Sequence, residues 1–559
     1  MSYDPAPCYP VSEGEVEVGY QALVRDCVRH GARVVAADGP PTVAWEEAVA
    51  GLRAACAAEG LNPEVVDMRR HAVPWSEVER RTADTEIPGD PVFARLPAGT
   101  IADLYDELPT PQGTPDVTFV VGPGAALVTH DLLWWADLPK SSGLAKIRRG
   151  EAPNLGQEPD AIGTEQRLLY VDWPLLDRHR SSLAARLDRV IDLDEPARPR
   201  SLEGNALRAT LHTLAGQPFR TRPTFLPGPW GGQWLRGTLG ISTDEPNLAW
   251  SYELITPESG ILLGNGETME VAFDLLLAQQ AERVLGAKVG EQFGQSFPIR
   301  FDYLDTMEGG HLSLQCHPTQ SYARKTFGLD YTQDETYYVM ATTPGASIFL
   351  GLLEDAELDA FRADAERAVE SGVALDAERY VASQPAERHR LYLIPAGTPH
   401  ASGAGNVVLE ISATPYLYTL RFYDWLRRTL DGTLRPVHLG HAFANLDPSR
   451  HGERVSELMP APRPLREGPG WAELELGRHR DLFFAVHRLE VDEAIDDDTD
   501  DRFHVLNLVE GEEVEIETEA GAVHRLAYAE TIVVPAAARA YSVRRLAGGR
   551  CKLIKAFVL

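Results

Sequence analysis

The sequence predicts a multidomain protein: an α/β domain over residues 1–200, an all-β sandwich or jelly roll with a helical insertion over 201–450, and a smaller β domain over 451–559. Three observations predict it. The chain has 559 residues, which at about 150 per domain allows three or four. Its first third alternates short apolar runs with segments of helical periodicity, the pattern of a mostly parallel sheet covered on both faces. Beyond residue 201 the texture changes to short strands separated by Gly, Pro and Asn, as in sandwiches and barrels.

In the first part, Arg33-Val34-Val35-Ala36-Ala37 is an apolar run closed by Asp38-Gly39-Pro40-Pro41, a strand ending in a turn. Residues 43–59 carry Val, Ala and Leu at helical spacing, and Pro63-Glu64-Val65-Val66-Asp67 reads as the next strand. Val117-Thr118-Phe119-Val120-Val121 and Leu168-Leu169-Tyr170-Val171-Asp172 are two further apolar runs, read as strands. The charged, proline-bearing residues 193–200 read as a linker. In the second part a helix is expected at 204–215, strands at 312–316, 336–340 and 347–350, and a helical insertion at 355–370 carrying Leu358, Phe361, Ala365 and Ala368. The third part repeats the strand texture at 483–486, 504–509, 514–517 and 531–534. Its acidic run, 492–501, reads as a solvated loop, because it lacks the ligand spacing and turn glycine of a calcium loop.

Acidic residues outnumber basic ones 83 to 53, for a formal net charge of -30. Such a field repels phosphate backbones and anionic headgroups, so neither nucleic acid nor membrane is an expected partner. It leaves room for a locally basic pocket holding one small anion. No apolar run approaches the roughly 20 residues that span a bilayer, and the first residues lack the basic and apolar regions of a secretory signal. Five cysteines form no CxxC pair, which points to reduced thiols in a cytoplasmic protein. A homo-oligomer is compatible with all of this.

The chemistry concentrates in three segments. In Leu312-Ser313-Leu314-Gln315-Cys316-His317-Pro318, strand alternation puts Gln315 and His317 on one face and Cys316 on the other. An amide oxygen beside an imidazole is either a pair of metal ligands or a hydrogen-bonded pair on a solvated face. Gln333-Asp334-Glu335-Thr336-Tyr337-Tyr338 sets a carboxylate at the mouth of an apolar strand. Leu393-Ile394-Pro395-Ala396-Gly397-Thr398-Pro399-His400 is a strand ending in a tight turn, where Pro pre-sets the backbone and Gly permits the bend. The Pro-x-Gly-x-x-His pattern resembles the second metal motif of cupin jelly rolls.

Together with residues 409–424 these segments resemble the class I mannose-6-phosphate isomerase family of the cupin superfamily. Gly228-Pro229-Trp230-Gly231-Gly232-Gln233 and Trp250-Ser251-Tyr252-Glu253 add to the resemblance, which spans roughly residues 205–450. It implies metal ligands Gln315, His317, Glu335 and His400 for one divalent ion; two imidazoles with two oxygens suit zinc first, and the ligand types also admit manganese, iron or cobalt. It also implies a catalytic Arg421, whose charge cannot be lost near neutral pH, and a proton carrier, either Glu410 or a metal-bound water. The expected activity is aldose–ketose isomerisation of mannose 6-phosphate and fructose 6-phosphate through an enediol. One position departs from the family: its lysine two residues before the metal-binding glutamate is Gln333 here. A neutral amide supplies no charge for phosphate, so Lys325, with Arg324 beside it, and Arg300 become candidate substrate-binding residues. The same departure opens two alternatives, an isomerase of a non-phosphorylated sugar and a sugar-sensing metal-binding cupin without catalysis.

The first domain resembles the uridine-kinase-like, P-loop-type domain sometimes fused to these isomerases, in residues 116–127, 131–137 and 170–180. Phosphate cradling needs GxxxxGK[ST], and no such string occurs in this chain. Asp38-Gly39-Pro40-Pro41-Thr42 stands at the strand-to-helix position instead, and its two prolines remove amide donors. The resemblance therefore implies a degenerate domain without kinase activity. In the third part, Val534-Pro535-Ala536-Ala537-Ala538-Arg539-Ala540 can be laid on residues 394–400, with Ala540 where His400 stands. That predicts a second cupin-like unit without metal, in which His504 is structural.

Overall fold

The computed structural model describes residues 3–82, 87–111, 116–256, 258–429 and 432–559. Six sheets organise them. The first has at its centre five parallel strands, in spatial order Pro63–Asp67, Val117–Val121, Val34–Asp38, Leu132–Asp137 and Arg189–Asp192. Antiparallel Arg200–Glu203 and Glu17–Val18 extend it. Strand alternation divides its side chains. Val35, Ala37, Phe119, Val121, Leu132, Trp134 and Ala136 pack on one side with the helices Tyr20–His30 and Trp45–Ala58. Ala36, Val120, Leu133, Trp135 and Val190 face the other way, into a core continuous with the rest of the molecule.

Two expectations fail in this part. Residues 168–172 form a wide helical turn, Leu168–Asp172, running into the helix Trp173–Leu183. A five-residue apolar run does not distinguish a strand from a buried helix by periodicity, and Leu168, Tyr170, Val171 and Asp172 are all buried. Pro174 then withholds the N–H that the carbonyl four residues back would accept, and the helix widens just ahead of it. The presumed linker, 193–200, is the turn of an antiparallel hairpin joining Arg189–Asp192 to Arg200–Glu203. The hairpin is part of the sheet, which Glu17–Val18 continues beyond it.

The second part is a pair of antiparallel sheets. One, six-stranded, runs in the order Leu391–Ile394, Glu335–Thr342, Asn406–Ala413, Ile299–Asp305, Trp250–Leu254, Thr224–Leu226. The other, five-stranded, runs Val381–Pro385, Ser347–Leu352, His400–Ser402, Leu314–Cys316, Leu420–Tyr423. The helix Leu358–Ser371 interrupts them as expected and buries Phe361, Ala365 and Ala368. The chain's first residues cross into this part: Cys8–Tyr9 pairs in parallel with Gly260–Gly264, and the Tyr3 hydroxyl donates to Glu253 at 2.6 Å.

The third part has a six-stranded and a four-stranded sheet spanning Arg463–Gly468 to Cys551–Val558. Its acidic run is not a free loop. Ala494–Asp498 is a strand paired with Ala540–Ala547, and Asp497 turns inward to meet the Lys555 ammonium at 2.6 Å. Lys555 also meets Glu473 at 2.6 Å, His487 Nδ1 lies 2.7 Å from Glu473, and His504 Nδ1 lies 2.8 Å from the Tyr541 hydroxyl. The interior of this unit thus holds a cation of its own, the Lys555 ammonium.

Candidate metal centre

Register brings the expected ligands together. Gln315 pairs directly with His400 on one side and with Arg421 on the other. Glu335 opens the strand Glu335–Thr342 and pairs with Ser412, which in turn pairs with Arg300. The turn before His400 is set by Gly397, whose φ of 81° lies in the left-handed region. Its N–H donates to the His317 carbonyl at 3.0 Å, while the N–H of Ala396 donates to Asp334 at 2.9 Å. One turn therefore ties all three ligand-bearing segments.

His317 Nε2 lies 2.6 Å from Glu335 Oε2, and His400 Nε2 lies 3.3 Å from the same oxygen. The Gln315 amide is 3.4 Å from His400 Nε2. All four residues are buried. Each imidazole spends its other nitrogen on a backbone carbonyl: His317 Nδ1 on Tyr418 at 3.3 Å, His400 Nδ1 on Thr398 at 2.9 Å. With the ring protons committed there, both Nε2 atoms present lone pairs to a carboxylate, and Glu335 Oε1 is buried without a partner among the described residues. Lone pairs converging in a dry site repel unless a cation lies among them. Among the described residues, His317, Glu335 and His400 form a group able to hold a metal, with ligand atoms all within 4.8 Å. Two imidazoles and a carboxylate are a donor set for catalytic zinc, which keeps a position open. The residues fit the ion.

Beside the centre lies a cavity of about 710 Å³. Gln315, His317, Gln333, Arg300, Asp302, Glu410 and Arg421 all line it. The Glu410 carboxylate accepts from Arg300, from Ser412 at 2.8 Å and from Gln333 at 3.3 Å. Burial pushes its carboxyl well above the usual range, against the pull of Arg300. Gln333 thus fills a position beside Glu410, consistent with a hydrogen-bond donor and not a charge. Arg421 donates from Nη1 to the Pro436 carbonyl at 3.0 Å, and its Nε is buried without a partner among the described residues. Burial, followed by the repulsion of Arg435, lowers its pKa to about 10. Lys325 is brought to none of these groups: it is exposed on the helical turn Ala323–Phe327 and does not line the cavity, and neither does Arg324. His311 accepts from the Ala404 N–H at 3.0 Å, and its ring lies 4.6 Å from the Trp425 ring.

Sequence reasoning missed half of the wall. His438 and Arg435 line the cavity, and so do Phe93, Lys140, Arg148, Tyr170 and Trp173 of the first domain. Phe93 sits with its ring 4.6 Å from His438, and Tyr170 donates to the Leu417 carbonyl at 2.8 Å. Neither spacing nor composition marks these residues. The strand-to-helix turn of the first domain, by contrast, is where it was expected, and the Asp38 carboxylate takes up backbone donors from it and from the turn after Val117–Val121. It accepts from Gly39 at 2.8 Å, Gly124 at 3.0 Å and Ala126 at 2.9 Å, with His179 Nε2 at 2.9 Å. A protein carboxylate occupies amides of the kind that would hold a phosphate.

A family model described as a domain of unknown function (DUF8485) matches residues 19–216. The mannose-6-phosphate isomerase of Streptococcus mutans is 24% identical over 247 residues, covering 44% of this chain and 69% of that protein. Mannose-6-phosphate isomerase ManA of Bacillus subtilis is 25% identical over 254 residues, covering 44% of this chain and 75% of that protein. Among solved structures, the mannose 6-phosphate isomerase from Bacillus subtilis aligns with a TM-score of 0.50 and 21% identity, over 61% of this chain and 99% of that one. The chain is thus homologous to mannose-6-phosphate isomerases over about 44% of its length, and the structural likeness carries their fold. The description matched by the first domain names no kinase. No helix among the described residues is long and apolar enough to cross a membrane.

Proposed function

We propose that this protein is a metal-dependent aldose–ketose isomerase acting on a sugar phosphate, with mannose 6-phosphate and fructose 6-phosphate as the first substrates to test. The observation that carries the reading is the convergence of Gln315, His317, Glu335 and His400 beside a cavity that also contains Arg421 and Glu410. Homology to proteins named mannose-6-phosphate isomerase supports it. When bound, a divalent ion such as zinc supplies Lewis acidity at the sugar's carbonyl end.

The remaining work falls to the chain's own groups. Isomerisation removes a proton alpha to a carbonyl and returns it one carbon along. Glu410, buried and with its carboxyl pushed up, is the group that takes and returns that proton. Arg300 holds it in place through its guanidinium, and Gln333 keeps the neighbouring position polar without adding charge. Arg421 brings a fixed, under-neutralised positive charge that favours oxyanion character in the enediol. Its Nε is the donor left free for that purpose.

The test is turnover of mannose 6-phosphate and of free mannose by zinc-loaded protein, with exchange of the C2 proton into solvent followed in parallel. Turnover of the ester, lost in Arg421→Ala, is the expected result. Sugar binding without proton exchange would instead favour a non-catalytic sugar sensor, and turnover of free mannose alone would move the substrate to an unphosphorylated sugar.

A further inference from the structure

The part of the cavity lined by Lys140, Arg148 and Glu258 differs in charge from the part around Arg421. Around Arg421, the guanidiniums of Arg421, Arg427 and Arg435 share the carboxylate of Asp424, and His438, 7% exposed, has no partner at Nε2 among the described residues. Where the first domain lines the cavity, its two cations are already matched. Lys140 meets Asp177 at 2.5 Å and Arg148 binds Glu165 through two hydrogen bonds, at 2.9 and 2.6 Å. The group left over beside them is Glu258, which lines the cavity with both carboxylate oxygens buried and, among the described residues, no hydrogen-bond partner from any other residue. Burial pushes its carboxyl up to about 7, against the pull of Lys140. Lys140 is held in place by Asp177 and by the Trp173 ring, 4.8 Å away, and an ammonium has three donors, of which this pair uses one.

Unmet acceptors beside spare donors, with no surplus positive charge, are the complement of hydroxyl groups and not of phosphate. We propose that Glu258, from the β part, and Lys140 with Trp173, from the first domain, form an interdomain subsite for the neutral, hydroxyl-bearing end of a sugar. Glu258 accepts from hydroxyls, Lys140 donates to their oxygens, and Trp173 fixes the ammonium. The first domain, whose family description assigns no function, thereby becomes a specificity wall of the metal cavity. This deepens the isomerase reading and rests on it only in taking a sugar as ligand.

The experiment is titration of zinc-loaded, full-length protein with D-mannose and, separately, with inorganic phosphate, by calorimetry and tryptophan fluorescence. Wild type is compared with Glu258→Gln and Lys140→Met. Both variants are expected to keep one zinc per chain and wild-type affinity for phosphate, while the mannose Kd rises about tenfold in each. Mannose affinity within about twofold of wild type in both variants overturns the proposal. So does phosphate affinity falling as much as mannose affinity, or a wild type that binds no mannose. Because the readout is binding, loss of mannose affinity in the variants supports the subsite even where the wild type turns nothing over, and normal turnover with unmoved mannose affinity overturns the subsite alone.

Discussion

At Glu335 two imidazole nitrogens meet one carboxylate oxygen, at 2.6 and 3.3 Å, a contact that a shared cation makes favourable in a buried site. Replacing Glu335 by Gln removes the charge that draws the ion while keeping the shape. Dialysed Glu335→Gln protein is expected to retain no zinc by atomic absorption, where the wild type retains one per chain. Arg421 sits at the same scale, and under the proposed function its charge serves the reacting oxygens and not the ion. Arg421→Ala is expected to keep its zinc and lose about 100-fold or more in kcat, a split between metal content and turnover that one preparation can measure.

The ligands are aimed by elements, and the turn at residues 395–399 is the most exacting of them. Gly397 takes a φ of 81°, and a Cβ there would stand 2.6 Å from the Asn445 carbonyl oxygen. Gly397→Ala therefore combines left-handed strain with a backbone clash, expected to lower stability by about 1–3 kcal/mol. Because the turn also donates to the His317 carbonyl, zinc affinity is expected to fall with stability, measured by urea melts and a competing chelator. In the third part, burial and the charge of Lys555 hold His504 near a pKa of about 3, with Arg502 adding to the depression and Asp497 and Glu473 opposing it. The unfolded chain binds a proton below about 6.5 that the folded chain refuses, so stability falls as the pH drops from 6.5 towards 3. At pH 4.5 the loss is at most about 3 kcal/mol. His504→Gln is expected to flatten that slope in urea midpoints taken between pH 7 and 4.5.

The whole molecule is tied together across its parts. Phe93 packs on Tyr170, Phe327, Tyr418 and His438. The Tyr418 hydroxyl donates to the Ala94 carbonyl at 2.6 Å, and His441 Nε2 lies 2.9 Å from Asp90. One apolar core runs from Tyr3 through the sandwich to Val558. The first domain and the sandwich are therefore expected to melt in one transition by calorimetry. Phe93→Ala, which removes a ring from the seam, is expected to cost about 3–5 kcal/mol and to split that transition in two.

The sequence alone marked the candidate metal ligands and the strands that carry them. Gln315 and His317 share a face because a strand alternates, and the Pro-x-Gly-x-x-His turn forces His400 inward, both local consequences of residue type. It also determined the broad division into an α/β part and two β parts. Local signals failed where a short segment suited two fates. The apolar run at residues 168–172 became helix because its neighbours surround it. The charged stretch at 193–200 became a hairpin turn because Arg200–Glu203 found an edge to pair with. The acidic run found Lys555. Only the tertiary structure decided that Lys140, Trp173 and Phe93 of the first domain face the same cavity as His317. The physical reason is range: spacing along the chain encodes which residues share a strand, a turn or a face, whereas the burial of one domain's sheet face against another part's core is settled only when both surfaces exist.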